Sequence, residues 1–212
     1  MENLSHKFKN KKSGVYFFKS SSPFEFYHIL NNINLEPKEE IFGTLIFPEN
    51  AKTPCPLVIP IHGSAGLRGN HHDHIVNLLE AGIAVFRIHS FESRGIISIV
   101  ENQMAVTLAT MITDAFRGLS LISQHPDIDS NKIGIMGWSL GGSTAFYSAW
   151  KPIIKALTQG GEKFSAHLPL YPGTHIKPNI NEWSDAPMHI LCGRDDDYTP
   201  TKLVEKILEY VK

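Results

Sequence analysis

The chain has 212 residues, 42% hydrophobic and 19% charged, with a net charge of −1. That length suits one domain able to bury its own core, and the composition excludes a chain too polar to fold. The even charge balance excludes the basic stripe of a dedicated nucleic-acid binder, so no nucleic-acid partner is expected.

The first residues, MENLSHKFKNKK, carry four lysines within positions 7–12 and no apolar signal core. Residues 1–20 are expected to be a flexible N-terminal segment and 21–212 a single domain. No apolar window is long enough for a transmembrane helix, so no membrane partner and a cytoplasmic location are expected. Cys55 and Cys192 stand far apart and make no disulfide framework. They read as small buried residues near strands rather than as reactive thiols.

Residues 24–30 and 40–47 read as strands, separated by a polar stretch at 31–39. Residues 48–56 form a Pro-rich loop. PLVIPI (56–61) is a short apolar run ending at a glycine turn, the pattern of a buried parallel strand. A helix over 73–81 and a strand over 83–88 follow. The segment 101–124 has one broad apolar face, with Val106, Leu108, Ile112, Ala115, Leu119 and Leu121, and reads as the longest helix. Then come a strand at 132–136, a helix from 140 to about 150, strands at 164–170 and 187–192, and an amphipathic helix at 201–211. Strands alternating with helices imply an α/β fold, a mostly parallel sheet with helices on both faces. Ligands in such sheets bind beyond the carboxyl ends of the strands.

Three motifs stand at such ends. GWSLGG (137–142) lies between a strand and a helix, the setting of a nucleophile elbow. Ser139 is the candidate nucleophile. The glycines permit a tight, strained turn, and the helix start behind the serine offers free N–H groups to a developing oxyanion. HGSAG (62–66) ends the PLVIPI strand, where such folds place the other half of the oxyanion hole. The Ser64 and Leu140 N–H groups are the candidate donors, with Ala65 as alternative to Ser64. His62 reads as a packed, hydrogen-bonded element of that loop. GRDDDYTP (193–200) follows the 187–192 strand and offers three aspartates for the acid that a Ser–Asp–His chain order requires, or a solvated turn that caps the next helix.

With these three motifs, and with FESRG (91–95) and HLPLYPG (167–173), residues 40–212 resemble the dienelactone hydrolase-related, esterase-like branch of the α/β-hydrolase superfamily. The resemblance implies an α/β-hydrolase fold with short antiparallel strands at its start. It implies hydrolysis of a small-molecule ester or lactone through an acyl-serine, with no cofactor and no metal. It points to Asp196, three residues after Gly193, as the acid. There are departures. Dienelactone hydrolases proper use a cysteine where this chain has Ser139. His89 stands where many relatives have an aspartate. The family's catalytic histidine lies after one further strand, whereas residues 197–212 hold no histidine. A last strand and helix are therefore expected to be missing. The 187–192 strand would become an exposed edge open to homodimer formation.

A serine hydroxyl without a general base is a poor nucleophile. The rival expectation is a non-catalytic relative or truncated fragment with a ligand pocket and no turnover. His175, shortly after the 164–170 strand, is the candidate surrogate base. His71, His72, His74 and Asp73 form a compact group that reads as a polar helix start rather than a metal site, and His189 reads as a core histidine. Arg68 and Arg94 follow strands and are candidates to bind a substrate carboxylate, against solvated or structural roles. Trp138, inside the elbow, joins them as a candidate substrate contact. Segments 93–104 and 174–183 are the expected pocket walls.

Overall fold

The computed structural model describes residues 13–211. Six strands form one sheet: β1 (Gly14–Ser20), β2 (Glu39–Ile46), β3 (Cys55–Ile61), β4 (Ala84–Ile88), β5 (Ile128–Trp138) and β6 (Ala166–Leu170). Their spatial order is β1-β2-β4-β3-β5-β6. β2 pairs antiparallel with both β1 and β4, and the remaining pairings are parallel. The helices are α1 (Phe26–Asn32), α2 (Gly69–Glu80), α3 (Leu108–Ile122), α4 (Leu140–Tyr147), α5 (Lys151–Leu157) and α6 (Thr201–Tyr210).

Strand alternation divides the apolar residues between two faces. Leu57, Ile59, Ile133 and Ile135 point into the main core with the buried faces of α3 and α4. Met136 and Trp138 point the other way, into a smaller cluster with Leu170, Val58 and Leu78 of α2.

The chain differs from its sequence reading in several places. Residues 14–20, expected to be flexible, form β1, with Gly14 opposite Leu45 and Ser20 opposite Glu39. The lysines at 7–12 lie outside the described residues. The segment 24–30, expected to be a strand, enters helix α1. Its aromatic composition favours a strand, but Phe26, Ile29 and Ile33 recur at helical spacing. Ile29 and Ile33 are buried, and Phe26 packs on Tyr147 and Trp150 at 5.4 and 6.0 Å between ring centres. Helix α3 begins later than expected because Thr107 caps it, its hydroxyl accepting the Thr110 N–H. Helix α5 was not anticipated. The 187–192 segment lies beside β6 in parallel, through Leu191 N–H to Pro169 at 3.0 Å and Tyr171 N–H to Leu191 at 2.6 Å. The pairing is interrupted, so it adds two bridges rather than a regular strand. His189, expected in the core, is exposed. Among the described residues no helix is long and apolar enough to cross a membrane.

Candidate active site

Ser139 joins β5 to α4 with φ 54° and ψ −112°. A non-glycine residue there is strained and persists only where its surroundings hold it. Those surroundings are backbone. The Ser139 N–H donates to the Leu170 carbonyl at 3.0 Å, and the Ser139 carbonyl accepts the Ser143 N–H at 2.8 Å. A Cβ on Gly137 would overlap the Gly141 backbone. One on Gly141 would overlap the Ile61 carbonyl and reach the His62 oxygen at 2.7 Å. The motif's glycines are therefore contact points at which α4 is pressed against β3 and β5.

The 62–66 loop runs beside the serine. A Cβ on Gly63 would be 3.1 Å from the Trp138 carbonyl and 3.4 Å from the Ser139 Cβ. Gly66, at φ 77°, closes the loop through its N–H to the Gly63 carbonyl at 3.0 Å. The Ser64 carbonyl accepts the Ile99 N–H at 2.8 Å, and its hydroxyl donates to Gln103 Oε1 at 3.1 Å. Its own N–H has no partner among the described residues. The Leu140 N–H is the first of α4, where no helical carbonyl precedes it. His62 is buried edge-on to Phe91, with Nδ1 3.0 Å from the Gly63 carbonyl. Burial pushes its pKa down, which keeps the ring neutral.

Ser139, Ser64, Leu140 and His175 line one cavity of about 440 Å³. His175 is exposed, its ring folded over Gly173, and among the described residues no hydrogen bond joins it to Ser139. Asp196 does not line the cavity but is hydrogen-bonded to Tyr198 and Thr199, which do. Its Oδ1 accepts the Tyr198 and Thr199 N–H groups at 2.9 and 2.8 Å, and its Oδ2 accepts the Thr199 hydroxyl at 2.7 Å. The Thr199 bonds hold the carboxyl below the usual carboxylate range.

Three candidate substrate contacts lie elsewhere. Trp138 is buried on the α2 face, where strand alternation turns it away from the cavity, and stacks on His71 at 4.3 Å. Arg68 is exposed at the start of α2, its N–H donating to His71 Nδ1. Arg94 is committed internally: Nη1 and Nη2 hold Asp114 at 2.8 and 3.1 Å, Nε holds Glu39 at 2.8 Å, and Nη1 also reaches the Ser90 carbonyl. It ties β2 to α3 and binds nothing in the cavity. The walls include Gln103, Met104, His175 and Ile176, within the expected segments, but also Phe24, Glu25, Phe26 and Leu108. Phe24, Glu25 and Phe26 escape the sequence because the 24–30 segment reads as a strand, and Leu108 because it reads as part of a helix's apolar face. The helical spacing of Phe26, Ile29 and Ile33 was the available signal. No group of three or more candidate metal ligands stands together among the described residues.

The sequence profile of the dienelactone hydrolase family matches residues 41–212. The chain belongs to the dienelactone hydrolase family. Its fold is that of solved α/β-hydrolases of this family. Esterase 2 of Thermogutta terrifontis, phosphoramylated by tabun, aligns at 14% identity over 94% of this chain and 78% of that one, with a TM-score of 0.63. Est1E from Butyrivibrio proteoclasticus aligns at 17% identity over 82% and 81%, with a TM-score of 0.56. The dienelactone hydrolase-like promiscuous phosphotriesterase P91, from metagenomic libraries, aligns at 13% identity over 95% and 78%, with a TM-score of 0.57. No curated protein sequence matches the chain. The carboxyl ends of β3, β5 and β6 converge on the cavity, through Ser64, Ser139 and Gly173.

Proposed function

We propose that the chain is a serine hydrolase that cleaves small-molecule esters or lactones through an acyl-enzyme on Ser139. The observation that carries this is the strained Ser139 backbone at a cavity it shares with the Ser64 and Leu140 N–H groups, which have no partner among the described residues. Strain held in place by surrounding backbone marks a functional position. Ser139 Oγ attacks the carbonyl carbon while its proton passes to a base. The oxyanion receives the Ser64 and Leu140 N–H groups. The alcohol leaves with that proton, and water then releases the acid from Ser139. His175 is the base in this reading, being the imidazole on the same cavity. Asp196 accepts three hydrogen bonds of the roughly four a carboxylate can take, which leaves room for an imidazole N–H.

One observation favours a second reading, a ligand pocket without turnover: among the described residues no imidazole is hydrogen-bonded to Ser139. One experiment separates the two. A fluorophosphonate probe and p-nitrophenyl acetate are given to the protein and to Ser139→Ala. Labelling and hydrolysis that vanish in Ser139→Ala support the enzyme. Neither rising above Ser139→Ala leaves the pocket reading standing.

A further inference from the structure

We infer that the cavity selects uncharged esters with an apolar chain and rejects carboxylate-bearing ones, and that the Phe24–Phe26 segment sets this preference. The inference rests on Ser139 being the nucleophile proposed above.

The apolar walls of the cavity are Leu108, Met104, Phe24, Phe26 and Ile176. Phe24, Met104 and Ile176 are 50%, 60% and 41% exposed, so these cavity-lining residues leave apolar surface to water. Clustered exposed apolar surface at a concave site marks ligand binding. The charges point the same way. No lysine or arginine lines the cavity among the described residues, and the one carboxylate that does is Glu25, exposed between the two phenylalanines. Arg94 is committed to Asp114 and Glu39. A substrate carboxylate would lose water, find no cation and face Glu25. An alkyl chain would cover the apolar walls. The preference is written into α1, which approaches the site from the start of the chain by packing Phe26 on Tyr147 and Trp150.

The test uses alkyl fluorophosphonates with butyl, hexyl and octyl chains and their ω-carboxyalkyl counterparts. In each labelling step the Ser139 Oγ–P bond forms, fluoride leaves and the hydroxyl proton goes to the base. Rates are read by intact mass on the full chain. Each added methylene should speed labelling about two- to fourfold until the walls are covered. The ω-carboxylate should slow it roughly tenfold. Glu25→Gln should recover about three- to fivefold of that loss, the size of one exposed charge contact. Phe24→Ala and Met104→Ala, both at exposed positions, should flatten the chain-length series. Equal or faster labelling by the carboxylate probes, or a flat series in the unaltered protein, overturns the inference while the butyl probe still labels Ser139. No labelling by any neutral probe overturns the serine-hydrolase reading, and this inference with it.

Discussion

Ser143 and Gly173 exchange two hydrogen bonds across the floor of the cavity. The Gly173 N–H donates to Ser143 Oγ at 2.8 Å, and that hydroxyl donates to the Gly173 carbonyl at 2.9 Å. Ser143 is one helical turn beyond Ser139 and Gly173 is two residues before His175. The pair therefore ties the segment that carries His175 to the helix that follows Ser139. Ser143→Ala removes both bonds and should cost about 1–3 kcal/mol. The loss should be local. Hydrogen exchange at amides 171–176 should accelerate roughly tenfold or more, while exchange along β5 keeps its rate. Unchanged exchange in 171–176 would show that the pair holds nothing.

Gly141 tests how tightly the elbow is built. Its missing side chain leaves room for the carbonyl oxygens of Ile61 and His62, which sit where a Cβ would be. Neither can move without shifting β3 and the oxyanion loop together. Gly141→Ala should therefore destabilise the fold by about 3 kcal/mol or more, above the usual range for one added methyl group. Urea unfolding measures this directly. A midpoint close to that of the unaltered protein would mean that the elbow relaxes freely and that Ser139 is not held strained.

Arg94 and Asp114 explain why an arginine beside a strand end is not a substrate contact. Asp114 has a fully buried side chain and accepts both Arg94 and the Ser20 hydroxyl, at 2.5 Å from the latter. Removing one partner of a buried pair strands the other charge. Asp114→Ala should cost about 3–5 kcal/mol. Arg94→Lys should fall part of the way, because an ammonium cannot hold Asp114 with two nitrogens. Labelling of Ser139 per folded molecule should stay unchanged in Asp114→Ala. Full stability in Asp114→Ala would refute the structural role.

These cases show what the sequence could and could not disclose. GWSLGG and HGSAG were legible because their spacing is dictated by backbone contacts, and those contacts admit no side chain. Arg94 was ambiguous because its partners, Asp114 and Glu39, come from distant segments that only the packed fold unites. Trp138 was misassigned because it adjoins Ser139 in sequence, while strand alternation sends it to the opposite face. Phe24 and Phe26 were missed because their aromatic character and their i, i+2 spacing both suggest a strand, against the helical spacing of Phe26, Ile29 and Ile33. The main core was readable from periodicity, but the lining of the cavity depends on where α1 docks.

The buried histidines make the fold acid-sensitive in a defined window. Burial holds His71 and His167 at about 4, below the ordinary value near 6.5. His167 Nδ1 faces the Ala145 carbonyl at 2.9 Å, and its buried Nε2 has no acceptor among the described residues, so a second proton finds no partner. His71 Nδ1 accepts the Arg68 N–H and cannot take a proton without losing it. The folded state binds these protons less readily than the unfolded chain. The stabilisation is therefore complete above about pH 6.5, falls as pH drops toward 4, and levels off below that. Each histidine should remove about 1–2 kcal/mol between pH 7 and pH 5. Glu92, held at about 2 by its hydrogen bond to His89, loses its contribution only below the ordinary carboxylate range, so it does not blur the window. His167→Asn retains a donor for Ala145 and cannot be protonated. It should lower stability at pH 7 yet unfold with a shallower pH dependence. Urea midpoints at pH 7, 6 and 5 decide the matter, and an unchanged slope in His167→Asn would rule out His167 as a source of the acid sensitivity.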